Sequence, residues 1–539
     1  MIRRLRSDEQ GIALITVLLI TMIALALVSA LTAYALGSQP ISKHDQDWNA
    51  ALSAAQAGLN DYIYRLNQNG NYWQYSATNL PPDGNLAFKQ YVAVPGPTNQ
   101  GYFRYKADTS TLATDGTIKL TVTGNVNGVT RTIYSTLRRR SFLDYLYFTN
   151  YETKDPALYL DPPDPFTPTQ AQNNCAKYDY AGRNANCIDI YFISQDTING
   201  PLHSNDEIHI CGNPTFNGPV TTSYNPASGN RWFDCGGSNP HFQSSGDPKY
   251  AAPLQMPPNN AALKLDADGT KGGQGCLYTG PTQITLNSNG TMTVVSPETK
   301  TATNANCGPG TNVPLPANGV VYVQNVPSVS SDPNYWNGCP YTTAPVAGTY
   351  PYPPGLIVPI KNDANTYSCT AGDVFVSGTL KGQLTIGSEN NINIVGNTTY
   401  ASGTSGTDVL GLVADDDVNV FHPVQVSSLS GGCTGTNLAG SLSNPQIDAA
   451  ILSIQHTFIV PYYNCGNPLG TLNVLGAIAQ EYRGPVGTFS GSSIVTGYAK
   501  GYTYDSRLKY LSPPLFLNPV SAAWQVVTWG EITTPTTFP

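Results

Sequence analysis

The sequence predicts a mainly β protein with one long N-terminal α-helix, in which a small α/β module precedes a large disulfide-containing β-solenoid of the parallel β-helix kind. Three observations carry this. Gly 51, Pro 42 and Tyr 33 in 539 residues describe short strands broken by turns, not helical bundles. The single long uncharged stretch lies at the N-terminus, Ile12 to Leu36. Only 12% of residues are charged while 40% are hydrophobic, so the chain can bury a large core and is not a disordered charged tail.

From the N-terminus, Arg3, Arg4 and Arg6 precede the run Ile12–Leu36, 25 residues without charge, proline or glycine. At about 1.5 Å per residue that run spans a hydrocarbon core of about 30 Å. The arginines place the N-terminus inside and the remainder outside. A secretory signal peptide is the rival reading, with Ser29-Ala30-Leu31-Thr32-Ala33 as its cleavage site, but the run exceeds the usual apolar stretch of ~7–15 residues. Beyond the run, Trp48, Ala51, Leu52, Ala55, Leu59, Tyr62, Ile63 and Leu66 recur at helical spacing, as a core-facing side requires.

The junction Glu9-Gln10-Gly11-Ile12 resembles a class III signal, and Ala54-Ala55-Gln56-Ala57-Gly58-Leu59 is similar to the helix of minor pilins of the PilX N-terminal type. The resemblance to type IV pilin-like proteins implies a leader of residues 1–11, cut by prepilin peptidase between Gly11 and Ile12, and a transmembrane and filament-core helix over 12–36. It also implies packing against other pilins through residues 12–66. Major pilins carry Glu at the fifth position after the cut; here it is Thr16. An unpaired terminal amine in lipid is costly, so a chain lacking that acid suits a tip or low-copy subunit better than a repeating one.

Residues 37–140 are expected to hold a helix and a small antiparallel sheet. Its strands are Tyr91–Val94, Tyr102–Ala107, Thr117–Val126 and Val129–Leu137, with Asn127-Gly128 as a tight turn. Arg138-Arg139-Arg140 then reads as a solvated boundary or, less simply, a phosphate patch. Charge divides there: residues 1–140 hold 13 Lys/Arg and 8 Asp/Glu (+5), and 141–539 hold 14 and 27 (−13). An acidic large domain gives nonspecific nucleic-acid binding no global support.

Residues 141–515 are expected to form the solenoid. Ile198-Asn199-Gly200-Pro201-Leu202-His203-Ser204 recurs as Phe216-Asn217-Gly218-Pro219-Val220-Thr221-Thr222, 18 residues later, and Arg483-Gly484-Pro485-Val486 is a third echo. That offset suits one coil of stacked rungs; a β-sandwich is the rival architecture. Further rungs are Val374–Val376, Leu384–Ile386, Ile392–Val395, Val409–Val413, Val418–Phe421, Ala449–Ile454 and Leu472–Ile478. A loop insertion is expected at about 225–345. Residues 516–539 supply a C-terminal strand, Trp524–Trp529, that either rejoins the small sheet or caps the solenoid.

All ten cysteines lie from Cys175 to Cys465, an even number in an exported chain, which reads as disulfides. Sequence order suggests Cys175–Cys187, Cys211–Cys235, Cys276–Cys307, Cys339–Cys369 and Cys433–Cys465, with many other pairings open. Without CxxC, a zinc or redox dithiol site is not expected.

Candidate chemistry is sparse. Asp415-Asp416-Asp417 offers paired acids for acid–base work or Ca²⁺, or a plain exposed turn. Asp266-Ala267-Asp268-Gly269 resembles half an EF-hand loop but has Leu277 at the twelfth position, so a turn is expected. His203 and His209 near Asp206-Glu207 suggest a metal cluster, against which Ile208-His209-Ile210 places His209 on a solvated strand face. Two aromatic groups suit either recognition or packing: Tyr62, Tyr64, Tyr72, Trp73 and Tyr75, and Tyr341, Tyr350 and Tyr352. No catalytic residue, metal site or cofactor is expected, and the chain is not expected to be an enzyme.

The overall plan, a pilin helix carrying a disulfide-containing solenoid, resembles competence pilins of the ComZ family, which implies a DNA receptor at a pilus tip. The C-terminal block Leu472–Ile478, Tyr482–Val486 and Gly497–Lys500 resembles large PilX-N-terminal surface proteins. The expected role is therefore a minor, tip-located subunit displaying a binding domain for adhesion or pilus initiation. Its precursor would sit in the cytoplasmic membrane before reaching the cell surface, and its ligand would be a glycan, a surface or DNA. DNA reception in natural transformation and surface polysaccharide processing are the alternatives.

Overall fold

The structure, a computed structural model, describes residues 9–69, 71–96, 101–112, 117–159, 164–336, 368–428, 433–490, 493–520 and 524–532. Contacts divide the chain into two compact units, Met1–Arg139 with Ala523–Pro539, and Arg140–Ala522.

In the first unit, helix α1 runs Glu9–Gln68 as one element with Pro40 inside it. Its halves have opposite environments. Ala13–Ala35 has a mean hydropathy of 2.8 and buries none of it within the chain, and it is long and apolar enough to cross a membrane. The second half turns Ala51, Ala55, Leu59, Tyr62 and Leu66 into the core, a stripe at three- and four-residue spacing. Trp48 departs from that stripe: it is 44% exposed, because its ring stacks under the Arg131 guanidinium at 4.7 Å rather than on the core.

The stripe packs on an antiparallel sheet of β1 (Val92–Ala93), β2 (Tyr102–Asp108), β3 (Thr117–Val126) and β4 (Val129–Arg139). Asn127 and Gly128 both take positive φ, 51° and 86°, the geometry of the tight hairpin turn. Two glycines set how closely helix and sheet approach. A Cβ on Gly58 would lie 2.7 Å from Phe103 and Val122, and one on Gly124 would lie 2.1 Å from the Ala51 carbonyl oxygen. The small-residue run of α1 is thus a contact requirement. The C-terminal strand, Trp524–Ile532, pairs antiparallel with β4. The choice left open by the sequence is resolved toward the small sheet, with Trp524 buried in its core.

In the second unit, twenty-two strands among the described residues form one hydrogen-bonded network. Its longest run is a parallel ladder. In stacking order it contains Cys276–Thr279, Val320–Gln324, Gln383–Ser388, Val409–Ala414, Gln446–Ser453, Pro468–Tyr482, Tyr147–Tyr151, Leu202–Ser204, Val220–Thr222 and Lys249–Tyr250. The 18-residue repeat is in register: Thr197 faces Thr215 and Leu202 faces Val220. All seven further strands expected after residue 370 fall on strands of this network. Stacking order differs from chain order. Tyr147–Tyr151 lies between Pro468–Tyr482 on one side and Leu202–Ser204 on the other.

Two expectations for this unit are corrected. The segment 225–345 is not a plain loop insertion, since it supplies Cys276–Thr279, Thr282–Asn287 and Val320–Gln324 to parallel pairings. Strands of four to six residues between Pro, Gly and Asn clusters read as loop when their neighbours lie far along the chain. The third echo, Arg483–Val486, does not extend the repeat; it follows the end of Pro468–Tyr482. The Arg138–Arg140 run is not solvated either. Arg138 is buried, Arg139 stacks on Trp524 at 5.5 Å, and Arg140 donates to the Ala252 carbonyl and Tyr145 hydroxyl.

Candidate functional site

The parallel register builds a polar corner. Ser388, Ala414, Ser453, Gln480, Thr149, Ser204 and Thr222 occupy one row across successive strands. Within three residues after these positions, at the strand ends or in the bends that follow, the chain carries Glu389, Asp415–Asp417, His456, Glu481, Glu152 and Asp206. Residues far apart in sequence thereby become neighbours.

Asp415–Asp417 do form a turn between Val409–Ala414 and Val418–Val420, but not an exposed one. Asp417 is 2% exposed and accepts from the Thr457 N–H at 3.0 Å. Burial pushes its carboxyl up to about 7 and that of Asp415 up to about 6. The basic partner absent from sequence reasoning is His456. Its Nδ1 lies 2.7 Å from Asp155 Oδ2 and its Nε2 3.9 Å from Asp416 Oδ1. Burial opposes charge on that ring, but the hydrogen bond and charge of Asp155, with Asp417 and Asp416, prevail and raise it to about 9. Glu481 beside it is raised to about 7 by burial. That shift favours the imidazolium, which bridges the Asp155 and Asp416 carboxylates as a cation.

A second cluster is organised by a disulfide. The loop closed by Cys175–Cys187 carries Asp179 and Arg183. Arg183 pairs with Asp206 and lies 2.9 Å from Asp189 Oδ1. His209 Nε2 sits 3.0 Å from Asp179 Oδ2. The expectation of a solvated His209 is therefore corrected: it is 1% exposed, because Phe233 stacks over its ring at 5.0 Å while Asp179 pairs with its Nε2. His203 belongs elsewhere, bonded to Thr221 and Asn205, and burial lowers it to about 3. Among the described residues, Asp179, Asp189 and His209 are close enough to share a metal ion. The Arg183 guanidinium already occupies the space between those carboxylates, so the donor set does not fit a resident cation.

Beside Asp189 opens a cavity of ≈ 590 Å³ whose lining includes Lys154, Asp189, Tyr191, Tyr463, Phe489 and Lys500. Lys154 Nζ is held by Asp164 at 2.6 Å and Lys500 Nζ by Asp196 at 2.8 Å. Sequence reasoning missed this cavity, since its walls come from six separate stretches of chain.

The remaining expected positions fall as follows. Disulfides join Cys175 to Cys187, Cys211 to Cys235, Cys276 to Cys307 and Cys433 to Cys465; Cys339, the expected partner of Cys369, lies outside the described residues. Gly11 and Ile12 are within the helical backbone of α1, and residues 1–8 of the expected leader lie outside the described residues. The Thr16 hydroxyl donates to the Ala13 carbonyl. Asp268 caps a short turn through the Thr270 N–H. Of the first aromatic group, Tyr62 and Tyr72 are core, Trp73 and Tyr75 pack against it, and Tyr64 is exposed. Tyr341, Tyr350 and Tyr352 lie outside the described residues.

No family model matches the chain. No curated protein matches it. A match among solved structures is the competence-associated pilin ComZ from Thermus thermophilus, 14% identical, covering 90% of this chain and 97% of that one at a TM-score of 0.22. At that TM-score the likeness carries no argument about this chain.

Proposed function

We propose that this chain is a membrane-anchored, pilin-like minor subunit whose second unit is a β-solenoid displayed outside the cell for binding, without turnover. The observation that carries the reading is the division of α1. One continuous helix exposes the apolar run Ala13–Ala35 and buries the stripe from Ala51 to Leu66 on an antiparallel sheet. Such an exposed run requires either lipid or the helices of other subunits around it. The same helix serves both states, in the membrane before assembly and against other pilins, through residues 12–66, afterwards. Thr16 leaves no ionised group to meet a neighbour's terminal amine, which favours a tip or low-copy position. The parallel ladder with its 18-residue register supports the solenoid reading.

The test is co-expression with a prepilin peptidase and intact-mass measurement. Loss of residues 1–11, abolished by Gly11→Val, is the expected result; a full-length chain with wild-type Gly11 would reject the reading.

DNA reception calls for cations free to meet phosphates. Around the corner and cavity, Lys154, Lys500, Arg183 and Arg483 each face a carboxylate. A polysaccharide-processing reading has one observation in its favour, His456 between Asp155 and Asp416. It requires sugar release from a polysaccharide panel that Asp416→Ala removes. No release is the outcome expected of a display subunit.

A further inference from the structure

We infer that the cavity beside Asp189 is a binding site for a neutral sugar unit of a glycan, an inference that rests on the display reading and supplies its ligand class. Its volume, ≈ 590 Å³, lies within the range of about 300–1,000 Å³ occupied by small-ligand sites.

Its walls combine two chemistries. Tyr191, Tyr463 and Phe489 line the space and are each only partly buried. Aromatic faces carry partial negative charge, and the C–H face of a pyranose is flat and weakly positive, so the two stack. Tyr191 packs against His209, edge-on at 5.4 Å, and against Phe233 at 6.3 Å. The Asp189 carboxylate is anchored beside the buried Arg183, and a carboxylate accepts hydroxyl hydrogens. The Lys154 ammonium has three donors and spends one on Asp164, leaving hydrogens for a sugar oxygen. Hydroxyls that both donate and accept match this mixture.

Charge selects within the glycans. Each lysine of the cavity is already paired with a carboxylate, at 2.6 Å for Lys154 and 2.8 Å for Lys500, and Asp189 adds another acid to the wall. A sulfated or sialylated sugar, or a nucleic-acid phosphate, would meet no uncompensated cation here. A neutral sugar incurs no such repulsion. Two disulfides frame the region, Cys175–Cys187 just before Ile188 and Cys211–Cys235 at the cavity wall, so its shape exists before the ligand arrives.

The experiment places the full chain, in detergent, on an array of neutral, sulfated and sialylated oligosaccharides with double-stranded DNA as a further probe. Retention of at least one neutral oligosaccharide, unchanged between low and high salt, is expected. Tyr191→Ala and Phe489→Ala should each weaken titrated binding about tenfold at an unchanged melting temperature. Should Tyr191→Ala melt early, Phe489→Ala, on the short strand Gly487–Ser490, decides. Retention only of charged probes, salt-sensitive retention, no retention, or binding indifferent to Phe489→Ala would each overturn the assignment. Failure here leaves N-terminal processing unaffected, whereas an unprocessed chain that still holds a neutral sugar would reject the pilin reading and keep the site.

Discussion

The two units differ in the deepest burial that their charges reach. In the first, ion pairs lie at the surface or its edge: Arg131 meets Glu531, 34% exposed, and Arg65 meets Asp83, 42% exposed. In the second, Arg483 and Glu152 are both fully buried 2.8 Å apart, and the guanidinium lies 3.6 Å over the Phe192 ring. The cause is topological. An antiparallel sheet under one helix leaves a wet face for polar side chains. Parallel strands are covered on both faces, so charged side chains beside them are enclosed and must find partners. Disulfides follow the same division: the four joined pairs among the described residues lie in the second unit.

The strongest way to break the comparison is Arg483→Ala. Leaving Glu152 as a buried unpaired charge should cost about 3–5 kcal/mol, read as lost hydrogen-exchange protection around Tyr147–Tyr151 and Pro468–Tyr482, with β2–β4 unchanged. In the small unit the sensitive feature is close approach instead. Gly124→Ala forces a Cβ against the Ala51 carbonyl and should cost about 1–3 kcal/mol, with protection lost in β3 and the second half of α1.

Acidity should separate the units next. His456, raised to about 9 from an ordinary 6.5, contributes stability that is complete below pH 6.5 and lost as pH rises through 9. Asp417 and Asp373, raised by burial to about 7, keep their protons in the folded state, so stability also falls as pH rises from about 4 to 7. Both effects share a sign. Melting of the second unit should therefore rise on moving from pH 9 to pH 5, followed by calorimetry with hydrogen exchange to assign the transition. A second unit that gains stability with pH would contradict the buried-charge account. The smallest effect belongs to Glu531→Gln, about 0.2–1 kcal/mol, seen as a slight loosening of Trp524–Ile532 in hydrogen exchange.

How legible each part was depended on the range of its interactions. The strands β2–β4 and the turn at Asn127-Gly128 were readable because hairpin partners are adjacent and alternation marks the buried face. The 18-residue repeat was readable because identical residues stack on themselves. His456 was not, since it lies 301 residues from the Asp155 it bonds. Nor was Arg183 readable as the ion that fills the Asp179–Asp189–His209 cluster, because only the disulfide loop brings it there. His209 was misread as solvated since alternation marks two faces of a strand without saying that both are covered.

The sequence by itself determined the apolar N-terminal helix, the helical stripe beyond it and the short-strand texture of the rest, for these are local patterns of side-chain chemistry. Only the tertiary structure decided that Trp524–Ile532 returns to β4, that Tyr147–Tyr151 is inserted beside Pro468–Tyr482, and which charges meet at the corner. Those outcomes depend on backbone pairing between segments more than 300 residues apart, and hydrogen bonds between backbones carry no signature of which side chains they will bring together.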